Sequence, residues 1–218
     1  YYYSKKTDQM KKKQINLFGK IARKIYSLNP DLMHVLPQNA EFLPYMIEDL
    51  EKIEPSFINL NSEKLIIGHA PSNRDVKGTR FLLDAIDKLK KKNDNFEFIL
   101  IEKLSHEEAL KKYQQIDILV DQLLAGWYGG VAVEAMSLGK LVIAYLRESD
   151  LKFIPPEMKS EMPIFNADPK SIYSILHRVV SMKREDLYDL SLKSRNYVEK
   201  WHNPRIITDR LKSDFLSI

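Results

Sequence analysis

The chain has 218 residues, 44% hydrophobic and 29% charged, with a net charge of +4 and no cysteine. This is the composition of a soluble globular protein, long enough to bury one sizeable core or one domain with part of another. It excludes a disulfide framework and Cys-ligated zinc, fits a reducing compartment, and its longest apolar runs (Phe96 to Ile101, Ile116 to Val120) are too short to span a membrane.

The opening Tyr-Tyr-Tyr, with no signal-peptide pattern, reads as a fragment whose natural N-terminus lies upstream. Residues 1–30 set Lys5, Lys6, Lys11, Lys12, Lys13, Lys20, Arg23 and Lys24 against Asp8 alone, a local +7 that leaves −3 for the rest. Such a segment is first of all a solvated basic helix or a frayed end, and next a surface attracted to anionic lipid or another polyanion. Nucleic acid is the weakest partner, because the body offers no basic stripe interleaved with aromatics. Lys24 to Leu28 reads as a short strand, and Asn29-Pro30-Asp31 starts a helical turn to Leu36. Pro37, Pro44 and Pro55 punctuate a connecting region up to Asn61.

From there strands and helices alternate. Lys64 to His69 is a strand, and Lys77 to Lys92 a helix with Phe81, Leu82, Ala85, Ile86 and Leu89 at helical spacing. Asn95 to Glu102 is the second strand. Ser105 and Glu108 form a capping box for a helix running to Gln115. Ile116 to Asp121 is the third strand and Lys140 to Tyr145 the fourth, with a glycine loop and a helix between them; Met162 to Phe165 is a short fifth. Helices over 169–182, 184–200 and 204–216 close the chain, with Trp201-His202-Asn203-Pro204 as the last joint. This order predicts an α/β fold, a Rossmann-like parallel sheet sandwiched by helices with right-handed crossovers.

Open parallel sheets bind ligands beyond the carboxyl ends of their strands. Two polar stretches fall there. The first runs from His69 to Thr79. Lys77 meets the positive end of its expected helix, which favours either solvent or a bound anion as its partner. Arg74 is evenly divided between solvent and ligand, and a packed His69 is as well supported as a ligand contact. The second stretch is Asp121 to Glu134. Gly129-Gly130 permits close backbone approach to a helix N-terminus, where N–H groups take phosphate. Glu134 lies among Val131, Ala132, Val133, Ala135 and Met136, where a carboxylate needs a partner; ligand hydroxyls are the favoured one, a nearby lysine or solvent the other. Trp127 and Tyr128 fit either a lid or a cover of the core. A nucleotide is the first ligand these features suggest. A dinucleotide oxidoreductase is disfavoured, since no G-x-G-x-x-G follows a strand.

The stretches IGHAPSNRDVKGTRFLLDAI and DILVDQLLAGWYGGVAVEAMSLGKLVIA resemble the C-terminal nucleotide-sugar-binding domain of glycosyltransferase family 4, retaining enzymes of the GT-B fold. RNYVEKWHNPRIITDRL is similar to the family's closing helices, the last of which crosses back to the N-terminal domain, and VLPQNAEFLPY to the end of that domain and its linker. The resemblance covers residues 29 to 216. It implies three parts: 1–45, the end of the N-terminal domain and linker, with a basic segment 1–24; 46–200, the Rossmann-like domain; and 201–218, the crossover helix.

The resemblance further implies a glycosyltransferase that moves a sugar from a nucleoside-diphosphate donor to a glycan, lipid or small-molecule acceptor with retention. The fragment alone is expected to be inactive. The second acid of the family's Glu-x7-Glu pair falls on Glu134, which would bind the donor's ribose. The family lysine falls on Lys77, which would bind the diphosphate; these two are the catalytic candidates. Gly129, Gly130 and Val131 would offer N–H groups, and His69, Asn73, Arg74, Gly78 and Thr79 complete that side of the donor site. The first acid of the pair is replaced by Gly126, so sugar contact passes to Asp121, Gln122 or Tyr128. No Asp-x-Asp occurs, and no cofactor or metal is expected. A cytoplasmic location is expected, with peripheral membrane contact through the basic segment. The rival expectation is a degenerate domain that binds a nucleotide sugar or a partner without transfer.

Overall fold

A computed structural model describes residues 5–92 and 95–216. The first four residues of the expected basic segment and the last two of the expected crossover helix lie outside the described residues. The amphipathic helix α1 (Lys5–Ile21) leads into β1 (Ile25–Ser27), a 3-10 turn Pro30–His34, and β2 (Ala40–Phe42), which pairs with β1 in parallel. On α1, Gly19 sits against Pro37, while Met10, Leu17, Phe18 and Ile21 form an exposed stripe with Lys11 on one flank and Lys13 and Lys20 on the other. No described helix is long and apolar enough to cross a membrane.

The main sheet follows: β3 (Leu65–His69), β4 (Phe96–Leu100), β5 (Ile118–Val120), β6 (Leu141–Ala144) and β7 (Ile164–Asn166). All neighbours are parallel, in the order β4-β3-β5-β6-β7. Leu141 to Ala144 and Ile118 to Val120 are fully apolar and buried, as a strand covered on both faces requires.

The helices are α2 (Arg74–Lys77), α3 (Thr79–Lys90), α4 (His106–Gln115), α5 (Gly130–Ser137), α6 (Pro156–Glu161), α7 (Ile172–Val180), α8 (Arg184–Trp201) and α9 (Pro204–Leu216). α4, α5 and α8 share one apolar cluster, which takes in Phe42, Ile47 and Leu50 of the connecting region; α3 and α7 share the other, on the opposite face. The chain therefore leaves β3 toward one edge of the sheet and β5 toward the other. Their loops part at the point where the winding reverses, which is where such sheets open a crevice. His69 and Val120 are register partners, so the two loops start level.

The expected helix from Lys77 to Lys92 is the shorter α3; Lys77 instead ends the preceding α2, and Gly78, at φ +74°, separates the two. The capping box is present as expected, with Ser105 and Glu108 bonded reciprocally. The closing helix returns to the two-stranded sheet: Arg210 donates to Phe42 O at 3.1 Å and pairs with Glu41 at 2.8 Å, and Tyr26 donates to Asp214.

The connecting region is pinned to the main domain by two cations, the buried Lys140 and the partly buried Arg195. Lys140 Nζ donates to the carbonyls of Ser56 and Gln114, and Arg195 donates to Ile53 O at 2.9 Å and Ser137 O at 2.7 Å.

Candidate functional site

A cleft of about 600 Å³ opens between the connecting region, α4 and α5. Gly130 and Glu134 of α5 form one wall, His106 and Gln114 of α4 another, and Tyr45 and Lys52 lie on the connecting side. Glu134 is in this wall because it sits one turn into α5, whose other residues Ala132, Val133, Ala135 and Met136 are buried. Its Oε1 accepts from His106 Nε2 at 2.9 Å. Its Oε2 is buried and has no hydrogen-bond partner. A buried acceptor left unpaired is costly.

Of the phosphate-binding candidates Gly130 lies in that wall, while Lys77 and Gly129 are not among the residues that line the cleft. Lys77 ends α2, whose first turn is capped by the Asn73 side chain accepting from the N–H groups of Asp75 and Val76. The Lys77 ammonium is buried and donates to Asp121 Oδ1 at 2.6 Å. Asp121 Oδ2 accepts from Gly129 N at 2.7 Å. Asp121 thus takes both donors expected to meet phosphate. The expectation that Lys77 faces a helix's positive end is corrected: it lies in the last turn of α2, where a cation is favoured, and Gly78 follows as the left-handed cap.

Several side chains face away from the crevice. His69 is fully buried: Nδ1 donates to Val120 O at 2.7 Å, Nε2 accepts from Thr79 Oγ at 2.8 Å, and burial pulls its pKa below the ordinary value. It is a packed, neutral histidine, and Thr79 is its partner. Arg74 forms a two-pronged pair with Glu102 at 2.6 and 2.8 Å, which holds Glu102 below the usual carboxylate range. Gln122 donates to Trp127 O. Tyr128 is buried, with its hydroxyl 3.0 Å from His202 Nε2 and 3.2 Å from Tyr197, so its side chain belongs to the core and not to a lid. Among the sugar-contact candidates, Asp121, Gln122 and Tyr128 are thus all engaged within the protein. Gly130 and Val131 open α5, and Gly130 has open space where a Cβ would stand.

At Gly126 a Cβ would lie 2.7 Å from Arg147 Cβ. Arg147 is held there by its N–H to Gly126 O at 2.9 Å and by Nη1 to Asp150 at 3.1 Å. Asp150 is wholly buried and also accepts from His34 at 2.9 Å. No side chain fits at position 126 while Arg147 stays in place.

His106 and Gln114 line the cleft, as does Lys52, and none of them was among the sequence candidates. Their signal is topological: α4 and α5 lie side by side on one face of the sheet, which only the strand order reveals.

No protein-family model matches the chain, and no curated protein sequence matches it. Solved structures do. A TarM variant from S. aureus, in complex with Fondaparinux, alpha-GlcNAc-glycerol and UDP, superposes with TM-score 0.69 at 14% identity over 97% of this chain and 46% of its own. Sucrose-phosphate synthase from Thermosynechococcus elongatus gives 0.64 at 17% identity, over 94% of this chain and 61% of its own. WaaG, a glycosyltransferase involved in lipopolysaccharide biosynthesis, gives 0.50 at 13% identity, over 77% and 54%. The chain therefore spans about half to three fifths of the length of these proteins. Its fold matches the C-terminal Rossmann-like half of GT-B glycosyltransferases.

Proposed function

We propose that this chain is the donor-binding part of a glycosyltransferase, taking a nucleoside-diphosphate sugar whose glycosyl unit passes to a glycan, lipid-linked or small-molecule acceptor with retention of configuration. The observation that carries this reading is the unpaired Glu134 Oε2 in the wall of an open cleft, beside the N-terminus of α5 in a fold of this type. Ribose hydroxyls are donors of the right kind for that oxygen, and His106 fixes the other half of the carboxylate. The diphosphate lies toward Gly130 and Val131, whose N–H groups open the helix, with Lys77 behind Gly129.

During transfer the leaving diphosphate gains charge, which the fixed amides and the ammonium stabilise in place. No side chain of this site is assigned as a covalent nucleophile. Retention requires the new bond to form on the face that the diphosphate leaves, and the acceptor contacts belong to the part of the fold beyond this half.

The test is calorimetric titration with UDP, GDP and ADP. The chain is expected to bind one of them, and Glu134→Ala to lower that affinity at least tenfold, about 1.4 kcal/mol, without unfolding. Unchanged affinity in Glu134→Ala refutes the role of this acid. The second reading, a domain that binds donor without transfer, draws on Gly126 and its overlying Arg147. Nucleotide binding with no sugar transfer by the whole protein favours it.

A further inference from the structure

We propose that Asp121 is a positioning residue that acts as an internal anion, standing where a ligand phosphate would draw the Lys77 ammonium and the Gly129 N–H. The inference rests on the reading that a nucleoside diphosphate occupies this corner. Asp121 is almost wholly buried and spends one oxygen on each donor, at 2.6 and 2.7 Å. The buried Lys77 ammonium is held, among the described residues, by Asp121 alone, and the Lys77 backbone is fixed. Its N–H donates to Asn73 O at 3.0 Å, its carbonyl accepts from Leu123 N at 3.1 Å, and Gly78 closes the turn behind it. A Cβ on Gly129 would stand 3.4 Å from Asp121 Oδ2 and 3.5 Å from Lys77 Nζ, so the glycine loop lies directly on the pair.

Two consequences follow from charge. The corner is formally neutral, so an arriving anion meets oriented amides and a lysine already engaged. The pair also keeps both donors aimed while no ligand is present, which a lone buried ammonium could not do, since an uncompensated charge there destabilises the fold. Asp121 therefore organises the phosphate corner and competes with phosphate within it.

Asp121→Asn separates these roles, because the amide oxygen still accepts from Gly129 N–H while the negative charge is gone. The probe is inorganic pyrophosphate, with sodium chloride at matched ionic strength as control. The expected result is a less stable variant that pyrophosphate restores, with an apparent pyrophosphate Kd at least about tenfold below that of the unaltered chain. Equal or weaker pyrophosphate binding by a folded Asp121→Asn overturns the proposal. Should the variant not fold alone, folding in pyrophosphate but not in chloride supports it, and failure to fold in both overturns it. The two readings fail separately. Pyrophosphate rescue with no binding of UDP, GDP or ADP leaves the internal anion standing and removes the donor. Binding of a nucleoside diphosphate with the same pyrophosphate response in both proteins does the reverse.

Discussion

His202 should make the chain acid-labile in a specific pH window. It sits between α8 and α9, fully buried, with Nδ1 donating to Tyr45 O at 2.7 Å and Nε2 3.0 Å from the Tyr128 hydroxyl. Only the neutral ring both donates to the carbonyl and accepts from the phenol, and burial pulls its pKa from 6.5 to about 4. The unfolded chain holds the ordinary value, so between pH 6.5 and about 4 it binds more protons than the native state. The stability contributed by the neutral ring is complete above the upper limit, falls as pH drops through the window, and is flat below it. The shift corresponds to roughly 3 kcal/mol at full extent. Urea unfolding at about pH 7 and about pH 4.5 reads it as a fall in midpoint. His202→Gln, which donates and accepts but does not titrate, is the reference. Carboxylates held low by partners, such as Asp150 through His34 and Arg147 and Asp168 through Ser171, lose stability in both proteins and cancel in the comparison. Parallel losses in the two proteins would refute the reasoning.

Two glycines give further tests. Gly126→Glu, which introduces the acid that the resemblance leads one to expect, should lower stability by about 1–3 kcal/mol, because its Cβ meets Arg147 Cβ at 2.7 Å. An unchanged urea midpoint would show that Arg147 moves aside freely. Gly139→Ala places a side chain at φ +76° and a Cβ 2.5 Å from the Phe57 ring, so a loss of about 1–3 kcal/mol is expected by thermal unfolding; a change within about 0.5 kcal/mol, the usual range for surface sites, would contradict it.

The main sheet was legible because each strand is a short apolar run bounded by a helix of clear period. Ser105 and Glu108 declared their helix three residues apart. β2 was not legible: Ala40 to Phe42 is three residues long, and its parallel pairing with β1 is a non-local fact. Gly78 was read as part of a helix start and is instead the break between two helices, since only the positive φ distinguishes the two. At the site, Glu134 was legible as a lone carboxylate on an apolar stretch, whereas its partner His106 lies 28 positions away on a different helix. Lys77 was noticed as a cation at a helix start, which it is not: it ends α2, and its partner Asp121 is 44 residues on. Single residues out of place show in a sequence; the pairs that satisfy them do not.

Gly126 shows what the difference between pattern and packing means here. Read against the family, it is a lost glutamate, which argues for decay of function. In the fold, the place is closed by a built cluster. Arg147 lies over the glycine, Asp150 holds Arg147 from a fully buried position, and His34 reaches Asp150 from the part of the chain that carries the two-stranded sheet. A guanidinium, a buried carboxylate and a histidine must all be placed for this packing to hold, which is a built arrangement and not a vacant site. Arg147 is paired with the buried Asp150, so the place a glutamate would take is filled by a compensated cation.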